Sequence, residues 1–85
     1  MRRLMHELAI ATALVEVACE EVAHRRLERV QALHVRIGPL AGVVKEALLF
    51  SFDLAAAGTP IEGARLEVQE SSGSELELVA LEVSE

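Results

Sequence analysis

The side chains in this 85-residue chain that could ligate a metal or carry a proton are three histidines, one cysteine and fourteen carboxylates. Most are poorly placed for joint work. His24 and His34 each lack a second histidine at ligand spacing. His24 stands where a helix should end, a position that suits a cation anyway, and His34 points to the solvent side of a strand. Cys19 is the sole cysteine. That excludes an internal disulfide and a four-thiolate zinc site, which needs about four Cys or His ligands in a tetrahedron. No stoichiometric zinc is expected, and Cys19 reads as a small buried hydrophobe on the apolar side of a helix. No nucleophile–base spacing, phosphate-cradling glycine loop or helical His-Glu-x-x-His is present, so nothing points to an enzyme. Glu75, Glu77 and Glu82 alternate along a strand as a solvated face. What remains is His6, flanked by Met5 and Glu7 near the start of the first helix. On residue type alone it is an ordinary histidine at a helix N-terminus, beside a glutamate that suits the positive end of the helix.

Composition narrows the partners. The formal net charge is −6, and the basic residues are scattered, Arg25, Arg26 and Arg29 being the nearest to a cluster. Nucleic-acid binding, which depends on clustered cations releasing counterions, is disfavoured. No apolar run approaches the roughly 18–20 residues of a membrane span. Arg2 and Arg3 ahead of an apolar run, and Cys19 after Ala18, imitate a secretory or lipoprotein signal. His6, Glu7 and Glu16 interrupt what should be an uncharged segment, and an amphipathic helix accounts for the same residues. A single reduced cysteine fits the cytoplasm. The chain is one domain, 52% hydrophobic, and short enough to bury only roughly 60–65% of its unfolded surface.

The elements that must position these residues follow from periodicity. Leu8, Ala11, Leu14 or Val15, Ala18 and Val22 form the apolar face of a helix from Leu8 to about His24, with Glu21 and Arg25 spaced to pair. Leu33, Val35 and Ile37 alternate with His34 and Arg36 as a half-buried strand, ended by Gly38-Pro39 and a loop that Gly42 closes. A second helix is expected from Val43 to Ala57, burying Val43, Ala47, Phe50, Leu54 and Ala57, with Leu48 and Phe52 widening the stripe. Gly58 supplies a left-handed stop and Pro60 prevents resumption. Leu66 and Val68 mark a second strand. Leu76, Leu78, Leu81 and Val83 mark a third, whose change of phase at Val79 implies a bulge. Ser71-Ser72-Gly73-Ser74 between them has the composition of a flexible linker. The expected fold is α/β, two helices on one face of a three-stranded sheet in the order helix, strand, helix, strand, strand. A parallel strand–helix–strand unit should be right-handed. The last two strands should form an antiparallel hairpin with the final strand central. Leu33, Val35, Ile37, Phe50, Leu54, Leu66, Val68 and Leu78 are the expected core.

Met5-His6-Glu7-Leu8-Ala9-Ile10-Ala11 resembles the opening of the HypA/HybF family of hydrogenase nickel-incorporation proteins. Val35-Arg36-Ile37-Gly38-Pro39-Leu40-Ala41-Gly42-Val43 is similar to that family's strand-and-loop signature. Glu46-Ala47-Leu48 through Phe50 and Phe52, then Gly58-Thr59-Pro60-Ile61-Glu62-Gly63-Ala64, then Glu75-Leu76-Glu77-Leu78, continue the likeness in order. The resemblance implies a metallochaperone that carries Ni(II) and works with a nickel-delivering GTPase and the hydrogenase large subunit. It also implies a square-planar nickel site near the N-terminus, whose metal ligands here would be Met5 through its backbone nitrogen, His6 through its imidazole, and Glu7 through backbone nitrogen or carboxylate. Ni(II) favours such tetragonal nitrogen coordination, and adjacent chain nitrogens close fused chelate rings at little ordering cost. Two departures stand out. The family carries a zinc domain with two Cys-x-x-Cys pairs where this chain has residues 71–74. And Met1-Arg2-Arg3-Leu4 precedes Met5, so the Met5 nitrogen is an amide and not an amine. Pro39 and Ala41 also stand where the family usually has Glu and Ser. The reading that competes with a nickel carrier is a zinc-domain-less interaction module, docking on the partner without tight metal binding. Strand exchange through the short 71–74 connection would give a homodimer.

Overall fold

The computed structural model describes residues 2–38, 43–73 and 76–84; the side chains of residues 2–6 and of Leu76 lie outside the description. The loop expected at Pro39–Gly42 and the serine at position 74 fall outside it as well. The elements are α1 (Arg2–Arg25), β1 (Val30–Ile37), α2 (Lys45–Ala56), β2 (Arg65–Glu70) and β3 (Leu76–Val83). Their order and the α/β class are those the periodicity implied.

The apolar face of α1 is buried at Ala11, Leu14, Val15, Ala18 and Val22, while Leu8, expected on it, is 37% exposed. Arg25 and Glu21 pair at 3.1 Å. The helix ends without glycine: Arg26 takes a left-handed φ of 58°, and the Leu27 N–H donates to the Val22 carbonyl (3.0 Å). That bond is the six-to-one closure of a Schellman ending, with Leu27 packed on the core as its hydrophobic partner. At the end of α2, Gly58 does adopt a left-handed φ of 77°.

The buried face of α2 corrects the expected stripe. Leu48, Ser51, Phe52 and Ala56 are buried, whereas Phe50 is 59% and Leu54 57% exposed. The segment Lys45–Ala56 is apolar on nearly every side, so two stripes compete. The one turned inward contains a serine, which made it look the less apolar of the two. Packing of α2 against α1 decides between them.

The sheet runs β2-β1-β3. β1 is therefore central, not the last strand, and β2 and β3 do not form a hairpin. Length could not settle this, since β1 and β3 both have eight residues. Burial does: Val30, Ala32, Leu33, Val35 and Ile37 of β1 are buried, while no described residue of β3 is. β2 pairs with β1 in parallel, Leu33 opposite Leu66 and Val35 opposite Val68. β3 pairs with its other edge antiparallel, Leu33 opposite Leu81 and Val35 opposite Leu78. Two inward leucines three residues apart require one extra residue, and the register shifts there, at Val79; the bulge implied by the change of phase is present. β2 ends and β3 begins on opposite edges of β1, where Ile37 pairs with both Glu70 and Leu76. Two strand spacings are roughly 10 Å, well within the reach of five residues.

One core joins both helices to the inner face of the sheet. The outer face is a charged ladder: Arg36 with Glu77 at 3.2 Å, and Arg65 with Glu67 at 3.2 Å and Glu82 at 3.6 Å. These pairs are solvent-accessible and each contributes little, roughly 0–1 kcal/mol. Among the described residues no helix is long and apolar enough to cross a membrane.

Candidate functional site

Met5, His6 and Glu7 lie in the first two turns of α1. In an α-helix each N–H is donated to the carbonyl four residues back, so the nitrogens of His6 and Glu7 are used by the ladder that runs to Arg2 and Arg3. The three expected ligands are thus consecutive on a helix, and the backbone nitrogens of His6 and Glu7 are engaged in it.

Glu7 is the unexpected member. It is fully buried, and its Oε2 accepts a hydrogen bond from the Val44 N–H at 2.8 Å. Val44 is the N-cap residue of α2, with extended backbone and no side-chain cap of its own. Its carbonyl already accepts from the Leu48 N–H (2.9 Å). The carboxylate of one helix thus serves the start of another. It sits at the positive end of α2, where negative charge is favoured, and it binds α1 to the segment leaving β1. Among the described residues Glu7 Oε1 has no hydrogen-bond partner.

Two junctions are thus made: the start of α1 is tied to the start of α2 through Glu7 and Val44, and the β2–β3 connection is tied to the exit of β1, where the Ser71 N–H donates to the Ile37 carbonyl at 2.9 Å. The other candidate ligands are elsewhere. Cys19 is partly buried and packs on the core. His24 is exposed at the far end of α1. His34 faces outward and meets Glu82 across the sheet, Nε2 to Oε1 at 3.1 Å. Among the described residues no three His, Cys, Asp or Glu side chains converge on one point. A groove of about 420 Å³ lined by Val17, Glu21, Arg25 and residues 78–81 begins ten residues along α1 from Glu7, about 15 Å away. It has no part in this arrangement.

Sequence reasoning placed Glu7 correctly near a helix N-terminus but missed the helix it serves. The bond spans 37 residues and ends on a backbone N–H, which has no side-chain signature. One trace was visible: α2 begins after Val44, where Ser, Thr, Asp or Asn would ordinarily cap.

The chain is a small α/β domain whose N-terminal helix is fastened by the buried carboxylate of Glu7, next to His6 in the sequence. Residues 5–81 match the family model described as hydrogenase/urease nickel incorporation, metallochaperone, HypA, and the chain belongs to that family. Similar curated proteins are each called hydrogenase maturation factor HypA. The protein of Roseiflexus sp. (strain RS-1) is 58% identical over 66 residues, 78% of this chain and 54% of the relative. That of Chloroflexus aurantiacus (strain ATCC 29366 / DSM 635 / J-10-fl) is 52% identical over 66 residues, 78% of this chain and 58% of the relative. That of Azotobacter chroococcum mcd 1 is 46% identical over 69 residues, 81% of this chain and 61% of the relative. The chain thus spans somewhat over half the length of the curated relatives it matches.

Proposed function

We propose that this chain is the nickel-binding domain of a hydrogenase-maturation metallochaperone, a non-enzymatic carrier that takes Ni(II) at Met5, His6 and Glu7. The observation that supports the reading is that the family match spans residues 5–81 and so takes in Met5, His6 and Glu7. The imidazole of His6 and the nitrogens of Met5, His6 and Glu7 form the donor set. The Glu7 carboxylate, occupied by Val44, leaves that residue to contribute through its backbone. In this reading the nickel-delivering GTPase and the hydrogenase large subunit are the partners, the compartment is the cytoplasm, and residues 71–74 stand in place of a zinc domain. A homodimer formed by exchange of β3 belongs to the same proposal.

A specific observation favours the competing reading of an interaction module without tight metal binding: the helix of α1 already uses the nitrogens that a chelate needs. Calorimetric titration separates the two. Ni(II) is titrated into this chain, into a version starting at Met5, and into each with His6→Ala. A free amine offers its lone pair once deprotonated, whereas the amide of Met5 must lose a far less acidic proton. The version starting at Met5 should bind more tightly, and His6→Ala should abolish specific binding in both. Unchanged binding after His6→Ala removes the site assignment; no binding in either parent leaves the interaction module.

A further inference from the structure

We propose that nickel capture unwinds the first turns of α1 as far as Glu7, and that the buried bond from Glu7 to Val44 is the stop that keeps the rest of the helix in place. This rests on the donor set proposed above. Three observations carry it. First, helix and chelate compete for the same atoms: the nitrogens of His6 and Glu7 cannot at once donate to Arg2 and Arg3 and bind a metal. Second, the first turn is poorly made for a helix. It contains no acidic residue and instead carries Arg2 and Arg3, cations at the positive end of the macrodipole. The opposite end, with His24 and Arg25 in its last turn, has the favourable arrangement, so opening begins at the N-terminus. Third, the helix holds a better start further in. A helix reopened to Glu7 has an acid in its first turn and keeps that acid's Oε2 on the Val44 N–H (2.8 Å), with Ala11 and Leu14 still buried below it. Opening can stop there because the side chain of Glu7 is held while its backbone nitrogen is released. Glu7 is thus a positioning residue, whose carboxylate sets where the metal-binding segment ends and the fixed domain begins.

Square-planar Ni(II) is diamagnetic, so nickel titration of the full chain can be followed by backbone-amide NMR alongside far-ultraviolet circular dichroism and calorimetry. Binding should remove roughly one-seventh of the helical signal, the share of residues 2–6 among the 24 residues of α1 and 12 of α2. The amide signals of Met5, His6 and Glu7 should vanish as their protons are released on nickel binding, those from Ala11 onward should keep helical shifts, and the Val44 amide should stay where it is. A charge-matched pair supplies the second arm. Arg3→Gly and Arg3→Ala remove the same cation but differ in helix propensity by about 1 kcal/mol, so the Gly variant should bind Ni(II) about fivefold more tightly than the Ala variant. A displaced Val44 amide or equal affinity of the two Arg3 variants overturns the proposal while leaving the nickel site standing; binding without loss of helix overturns it and removes the His6 and Glu7 nitrogens from the donor set as well. Absence of calorimetric binding in this chain and in the version starting at Met5 instead defeats the functional reading, and this proposal with it.

Discussion

Phe50 and Phe52 stand two residues apart on α2 and have opposite fates, 59% and 1% exposed. Phe52→Ala should therefore cost about 3–5 kcal/mol through the cavity it leaves, enough to unfold much of a domain this small. Phe50→Ala should cost less than about 1 kcal/mol. Urea titrations of the two variants check the assignment, and equal losses would mean that α2 is rotated from the position described. Glu7 is the other telling residue. Glu7→Ala leaves the Val44 N–H without its acceptor and should destabilise by about 1–3 kcal/mol. Glu7→Gln, which retains an oxygen to accept that bond, should lose distinctly less. At this scale the sequence was partly legible. Leu33, Val35 and Ile37 were readable as core because only one of the two strand faces is apolar. Phe50 was not, because α2 offers two apolar stripes and the choice between them is made by α1.

Element boundaries were legible where a residue type enforces them. Gly58 has a positive φ of 77°, although the helix ends on the extended C-cap Ala57 and Gly58 is the third residue of the type II turn closed by the Thr59 N–H on the Ala56 carbonyl. The bulge at Val79 follows from the spacing of inward leucines. The end of α1 was less clear, since its left-handed position is filled by Arg26 (φ 58°), a residue with no preference for that conformation. Arg26→Gly should relieve the Cβ penalty and stabilise the domain by about 0.5–1 kcal/mol. Thermal unfolding should show it as a higher midpoint, a few degrees for a domain of this size. A lowered midpoint would mean that the arginine side chain contributes more than its backbone strain costs. The start of α1 lies six residues ahead of where the apolar periodicity begins at Leu8, because a helix can extend past its buried face wherever its own hydrogen bonds suffice. Sheet order was the element-level feature beyond reach. A short connection usually joins neighbours, and only the pairing of Ile37 with strands on both sides shows that this one steps over β1.

For the whole molecule, the same step over β1 bears on the strand exchange proposed above. If the short connection is strained, β3 can dock on the β1 of another chain, and lengthening it with several Gly and Ser residues should favour the monomer. Sedimentation at several concentrations tests this, and a monomer throughout with the present connection removes strand exchange. The crossing has a further consequence. The residues entering and leaving it, Glu70 and Leu76, are both fixed to Ile37, so their separation of roughly 10 Å is set by the sheet and not by what lies between them. Such a pair of anchors works as a socket: the intervening chain can be a few residues or an entire folded unit, provided its two ends emerge about that far apart. Whatever is plugged in emerges at the Ile37 end of β1, and exchanging it leaves the paired strands as they are. Length variation among related chains is therefore expected to concentrate at this crossing, where the fold is indifferent to it.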